Sequence, residues 1–329
     1  MVTSQGAWSG RRGWLLRLEA ADGRLGWGEA AELPGPDAGA GLRSGAGQAG
    51  AVDPEPGGVP EAIAALPARF TRTQLEQALP GLSPPLSCAL GMALAELDGL
   101  GSAQQGGWRP APPSAWLLPA GEAVLPALEE LLAAQIAPPP HGGPFCVKWK
   151  VAAVADALER PLLEAVLERL PPQARLRLDA NGGWNRATAA AWADRLQDEG
   201  RLEWLEQPLP PDDLDGLRGL AARLPLALDE SLRQRPDLRR PGAWDGWQVR
   251  RPLLEGDPRP LLAALRAGTP RLMLSTAFET GIGRRLLAHL AALQTDGPTP
   301  AAPGLAPGWC PQGDLFAHDP VRVWAAAAP

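Results

Sequence analysis

The sequence predicts an α/β protein: a closed barrel of parallel strands behind a smaller α+β domain. Three observations carry this. The chain has 329 residues, too many for one small domain and suited to a barrel-sized domain with a smaller companion. From Ser114 onward, short apolar runs alternate with helical segments seven times, the signature of repeated βα units and a parallel sheet. No G-x-G-x-x-G or phosphate loop follows the first run, so a doubly wound nucleotide-binding sheet loses support.

The elements follow in order. Residues 13–33 read as a hairpin, with alternating strands on either side of an Ala21-Asp22-Gly23-Arg24 turn. Residues 34–60 are rich in Gly, Pro and Ala and read as a loop. Residues 61–105 carry helical spacing, most clearly Leu86 to Leu100. Gly106 to Pro113 is a Pro/Gly-rich link and sets the domain boundary. The apolar runs are then Ala115–Leu118, Phe145–Val151, Arg175–Leu178, Leu202–Leu205, Leu226–Leu228, Trp247–Arg251 and Leu272–Ser275, each followed by a helical segment. This gives a first domain over 1–105, a barrel over 112–300, and a Pro/Ala-rich tail over 301–329 that packs back on the surface.

Composition excludes several function classes. Net charge is −6, which disfavours phosphate-driven nucleic-acid binding. No apolar run is long enough to span a bilayer, and residues 1–20 lack the order of a signal peptide. Cys88, Cys146 and Cys310 are scattered without C-x-x-C spacing, so neither a disulfide framework nor a zinc cluster organises the chain, and a cytoplasmic location is expected. No feature specifies an oligomeric state.

The basic residues are more informative. Of 31, only Lys148 and Lys150 are lysine; the rest are arginine. Arginine cannot deprotonate in a protein, whereas lysine can be tuned to act as a base. Two lysines two residues apart in Val147-Lys148-Trp149-Lys150-Val151 therefore read as retained for proton chemistry, and strand alternation puts both on one face. In βα barrels chemistry sits where strands end. The next strands end in Asp179-Ala180-Asn181, Glu206-Gln207-Pro208, Asp229-Glu230-Ser231 and Arg250-Arg251-Pro252. A lone acidic residue there could be the N-cap of the following helix. Three in succession, Asp179, Glu206 and Asp229, would repel one another without a cation, and three carboxylates suit octahedral Mg²⁺, with Mn²⁺ accepting the same donors.

The series Lys-x-Lys, Asp-Ala-Asn, Glu-Gln-Pro, Asp-Glu-Ser resembles the muconate-lactonizing branch of the enolase superfamily, and within it the o-succinylbenzoate synthase family. Supporting stretches are Gly26-Trp27-Gly28-Glu29-Ala30, Leu33-Pro34-Gly35, Ser275 to Gly283, and Pro303-Gly304-Leu305. The match is firm over 145–283 and looser over the rest of 13–310.

The resemblance implies a (β/α)₇β TIM-like barrel under an α+β N-terminal capping domain. It implies Mg²⁺ on Asp179, Glu206 and Asp229, with Lys150 transferring the proton and Lys148 beside it. Substrate contacts would come from Arg177, Asn181, Ser275 and Gly304, and from a loop within about residues 30–60. The implied reaction is a syn dehydration: 2-succinyl-6-hydroxy-2,4-cyclohexadiene-1-carboxylate loses water to give aromatic o-succinylbenzoate, a step of menaquinone and phylloquinone biosynthesis. A free lysine has a pKa near ~10.4; Lys148 and a metal would both disfavour a second positive charge on Lys150 and bring it toward neutral pH.

Two departures stand out. Family members usually carry Lys-Pro where this chain has Arg251-Pro252. Arg251 can supply positive charge or a cation–π contact but no second base. That disfavours the branch's dipeptide epimerases and N-acylamino-acid racemases, the alternatives together with cycloisomerases. Either Arg250 or Arg251 faces inward. Relatives also carry a strand before the region matching Trp8 to Trp14, so the cap is expected to lack its first strand and to pack weakly over 1–35. A decayed barrel kept as a binding protein is a further alternative; the intact carboxylate set speaks against it.

Overall fold

The computed structural model describes residues 2–3, 6–7, 11–32, 59–134, 145–309 and 311–327. The loop expected over the substrate, Leu33-Pro34-Gly35 within it, and Cys310 lie largely or wholly outside these residues.

In the cap, two short strands, β1 (Val2–Thr3) and β2 (Gly6–Ala7), pair antiparallel. The hairpin follows as β3 (Trp14–Glu19) and β4 (Leu25–Ala30). Helices α1 (Val59–Ala64), α2 (Arg72–Ala78) and α3 (Pro84–Leu97) cover it. At the start of α2, Thr71 and Gln74 exchange the two bonds of a capping box. Helix α3 opens with Pro84 and Pro85, tolerated because the first-turn N–H groups have no intrahelical acceptor. It lies directly on β4. A Cβ at Gly26 would stand 2.1 Å from the Ala93 carbonyl oxygen, and one at Gly28 would stand 1.9 Å from that of Ala89. The Gly-Trp-Gly spelling is therefore a packing requirement: it lets a helix backbone rest on a strand. Leu16, Ala30, Leu75, Leu86, Leu90 and Leu94 fill the core between them.

The barrel strands are β5 (Trp116–Leu118), β6 (Cys146–Lys150), β7 (Arg175–Asp179), β8 (Leu202–Glu206), β9 (Leu226–Leu228), β10 (Trp247–Arg250) and β11 (Leu272–Leu274). They lie side by side in sequence order and all run parallel. Helices α4 (Val124–Ala134), α5 (Asp156–Arg169), α6 (Arg186–Leu196), α7 (Leu214–Ala221), α8 (Glu230–Gln234), α9 (Arg259–Arg266) and α10 (Gly281–Thr295) follow the strands one by one. Alternation sorts the side chains. Val147, Trp149, Leu176, Leu178, Leu205, Leu226 and Leu228 point outward into one apolar layer under the helices. The alternate positions hold Lys148, Lys150, Arg177, Asp179, Trp204 and Glu206, which face the axis. Trp204 is closed in by Ala227, Val249, Met273 and Ala301.

Closure corrects one boundary. Residues 301–305, expected in the surface tail, fill the eighth strand position between β11 and β5. Ser275 bridges Gly304 in parallel register. The Gly304 N–H donates to Leu274 (2.8 Å), and the Ala115 N–H donates to Pro303 (3.0 Å). Pro300 and Pro303 lack the donors of a full ladder, so only a bridge forms and the sequence does not read as a strand. Beyond it, α11 (Pro320–Ala327) buries Val323 with Trp27 and Ile282. The Trp324 ring meets Trp27 edge-on at 5.5 Å.

Candidate active site

The strand register sets one ring of groups at the C-terminal mouth. Lys150 on β6 is level with Asp179 on β7, and Asp179 with Glu206 on β8. Glu206 is level with Ala227 on β9, and Asp229 follows two residues later on the same face. Lys148 sits one interior step below and reaches up, its Nζ donating to Glu206 at 2.7 Å and lying 2.9 Å from Asp179. Lys150 Nζ lies 3.3 Å from Asp179 and donates to Asn181 Oδ1 at 2.7 Å. Arg251 lies across the mouth: NH2 meets Asp229 at 2.6 Å, and NH1 donates to the Thr276 carbonyl at 2.6 Å. The five elements that end in charge thus meet pairwise around one mouth.

Electrostatics follow from burial and from the neighbouring charges. All three carboxylates are buried. Burial opposes ionisation of Asp179, but the Lys148 and Lys150 ammoniums outweigh it and hold Asp179 below the usual range. At Asp229 burial is likewise outweighed, there by Arg251. Glu206 goes the other way: burial and then the charge of Asp179 raise it, despite Lys148. Burial would lower Lys148, but Asp179 and Glu206 hold it well above an ordinary lysine.

Glu206, a buried carboxylate between two others with one ammonium for relief, marks where a further cation belongs. Among the described residues no three acidic, His or Cys side chains surround a common point, because the carboxylates are turned to Lys148, Lys150 and Arg251. The donor set itself, three carboxylates at the ends of adjacent strands, fits a hard divalent ion that takes oxygen ligands.

The structure also sorts the remaining sequence expectations. Asn181 reaches the mouth. Its backbone sits at φ 45°, its Oδ1 accepts from Lys150, and its Nδ2 donates to Glu230 Oε1 at 3.1 Å. Ser275 and Gly304 stand side by side at the rim. Arg177 is buried one layer below the mouth, its Nε bonded to Glu203 at 2.6 Å and its guanidinium stacked 3.9 Å over Trp204, with both terminal nitrogens buried without a partner. The Arg250/Arg251 alternative resolves by alternation. Val249 and Arg251 face the axis, while Arg250 turns outward to Glu255 at 2.5 Å. Arg251's guanidinium is committed to Asp229 and Thr276, not held over an open ring face.

Three residues escaped the sequence reading. Glu230 lies beside Asn181, and burial, then the charge of Asp229, push it up to about 7; one carboxylate oxygen is buried without a partner. Gln207, in the left-handed region at φ 38°, accepts from the Asp229 and Ser231 N–H groups and so fixes the turn that presents Asp229. Glu29 reaches from the cap to the loop after β11. Glu230 and Gln207 directly follow Asp229 and Glu206 in the strand-end motifs, and Glu29 lies inside the Gly-Trp-Gly-Glu stretch.

Comparison with known proteins identifies the family. Residues 142–250 match the family model described as enolase C-terminal domain-like. The chain is 36% identical over 306 residues to an o-succinylbenzoate synthase of Thermosynechococcus vestitus, covering 88% of this chain and 84% of that protein. It superposes on the crystal structure of o-succinylbenzoate synthase from Thermosynechococcus elongatus BP-1, complexed with Mg in the active site. That match has TM-score 0.74 and 31% identity and covers 99% of this chain and 95% of the other. A substrate-liganded L-Ala-D/L-Glu epimerase from Bacillus subtilis shares the fold at TM-score 0.61 and 22% identity, over 88% and 81% of the two chains. The chain belongs to the o-succinylbenzoate synthase family of the enolase superfamily.

Proposed function

We propose that this chain is a magnesium-dependent o-succinylbenzoate synthase. It dehydrates 2-succinyl-6-hydroxy-2,4-cyclohexadiene-1-carboxylate to o-succinylbenzoate and serves menaquinone or phylloquinone biosynthesis in a reducing, cytoplasmic setting. Among the described residues no helix is long and apolar enough to cross a membrane. The partner is a small carboxylate substrate. Asp179, Glu206 and Asp229 would hold the metal, which when bound stabilises the negative charge that grows on the substrate carboxylate as its α-proton leaves.

One observation carries the reading: among the described residues, Lys150 is the lysine at the mouth that is both aimed and exposed enough to meet a substrate. The Lys150 side chain is 26% exposed and is aimed by Asn181 and Asp179, whereas Lys148 is locked between two carboxylates. Lys150 removes the α-proton, keeps it as an ammonium, and returns it to the hydroxyl that leaves from the same face. Base and acid are one group, as a syn elimination allows. Across the site Arg251 supplies only fixed charge. Exchange of substrate protons from both faces, as an epimerase or racemase requires, would need a base where Arg251 stands. Ser275 and Gly304 at the rim would receive a substrate carboxylate.

The test compares three substrate classes in D₂O with Mg²⁺. The cyclohexadiene carboxylate should be consumed to the aromatic product, while dipeptides and N-acylamino acids should show no deuterium entry from the second face. Rapid epimerisation of either, with no dehydration, would overturn the proposal.

A further inference from the structure

Arg11 and Glu29 belong to the cap, yet their bonds to the barrel all fall on Ala277 to Gly283, the connection from β11 into α10. Glu29 is 2% exposed. Its carboxylate accepts from the Thr280 N–H (2.9 Å), the Thr280 hydroxyl (2.6 Å) and the Gly283 N–H (3.2 Å). The last belongs to the first turn of α10, where N–H groups lack intrahelical acceptors, so a side chain of one domain caps a helix of the other. Arg11 NH1 donates to the carbonyls of Ala277 (2.5 Å) and Phe278 (3.2 Å). From inside the connection, Glu279 accepts from the Thr276 hydroxyl (2.5 Å) and the Ala277 N–H (2.6 Å). Between these holds Phe278 sits at φ 65°, a left-handed conformation that a bulky aromatic keeps only where its surroundings enforce it. The same connection leads directly out of the substrate rim. Thr276 N–H donates to Gly304 (2.9 Å), Ser275 bridges Gly304, and the Thr276 carbonyl anchors Arg251.

We propose that Arg11 and Glu29 are positioning residues through which the cap holds the 276–280 connection in its strained form, and so places Ser275 and Arg251 against the substrate. The proposal rests on the dehydratase reading for what that substrate is, but not for the restraint itself. A second cap–barrel contact provides the contrast. Glu76 on α2 pairs with Arg259 on α9 at 2.6 Å and docks the cap without touching 276–280.

Three variants test it: Glu29→Gln, Arg11→Met and, as the docking control, Glu76→Gln. Glu29→Gln keeps the volume but turns an NH₂ group toward N–H donors. Misplacing the rim should raise KM for the cyclohexadiene carboxylate on the order of tenfold or more in the first two variants. Mn²⁺ affinity, read by titration, should stay at the wild-type value, and Glu76→Gln should leave KM unchanged. Independently of turnover and metal, amide hydrogen exchange should accelerate over 276–283 in Glu29→Gln and Arg11→Met alone. A KM shift no larger than that of Glu76→Gln, or exchange that rises evenly around the barrel, would overturn the proposal. If Glu29→Gln does not fold, Arg11→Met decides it by the same two readouts. A wild-type protein without turnover would refute the dehydratase reading, while the exchange data would still judge the restraint.

Discussion

Replacing Lys150 with arginine separates charge from proton transfer. The guanidinium preserves a positive charge beside Asp179 but cannot give up a proton at working pH. The structure isolates the effect. Asp179 stays paired with Lys148 at 2.9 Å, so no buried carboxylate is orphaned, and Lys150 is partly exposed, so its loss leaves little packing behind. A positioned acid or base contributes about 10²–10⁴-fold in rate, roughly 3–5 kcal/mol at 1.36 per decade. On the proposed mechanism Lys150 serves in both roles, with Arg251 across the mouth, so the upper end is expected. The assay is kcat from the absorbance of the aromatic product at saturating substrate with Mg²⁺, alongside Tm. Lys150→Arg and Lys150→Ala should both lose activity at near-native Tm. Retention of more than about a tenth of wild-type kcat by Lys150→Arg would refute the idea that a tunable amine is needed.

Other outcomes follow from the same coordinates. Glu206→Gln removes the central carboxylate of the three and should weaken Mn²⁺ binding by at least about tenfold, as read by calorimetry; unchanged affinity would remove Glu206 from the ligand set. Gly28→Ala forces a methyl into the Ala89 carbonyl at 1.9 Å and should lower stability by about 1–3 kcal/mol or more in urea unfolding, while Gly23→Ala, in open space, should cost only its positive φ. Burial pushes Glu96, beside Arg285, up to about 7, so the folded protein binds its proton more tightly than the unfolded chain. That contribution is complete below the unfolded carboxylate pKa and is lost as pH rises toward 7. The fall of Tm between pH 5 and 7 should therefore be shallower in Glu96→Gln than in wild type, and equal slopes would show that Glu96 is ionised throughout.

What the sequence displayed were features of short range. Lys148 and Lys150 stood out because arginine does every other cationic task. Asp179, Glu206 and Asp229 stood out because each ends an apolar strand, and strand order then makes them neighbours. What it hid depends on register and on contacts far along the chain. Arg177 has the same parity as Asp179, but its position one step lower sends it to Glu203 and Trp204. The strand position at 301–305 is disguised by its prolines. Glu29 acts on residues some 250 positions away, which no local pattern encodes. Gly26 and Gly28 were legible as a motif, but their reason, a helix lying on a strand, appears only in three dimensions.

The central claim is that this mouth dehydrates a cyclohexadiene carboxylate with Lys150 as proton carrier and a divalent metal on the three carboxylates. The most direct measurement mixes purified protein, Mg²⁺ and 2-succinyl-6-hydroxy-2,4-cyclohexadiene-1-carboxylate and follows the aromatic product by absorbance, with and without EDTA. The expected result is rapid turnover that EDTA abolishes and added Mg²⁺ restores. A folded, metal-binding protein that forms no aromatic product, or turnover indifferent to EDTA, would contradict the account.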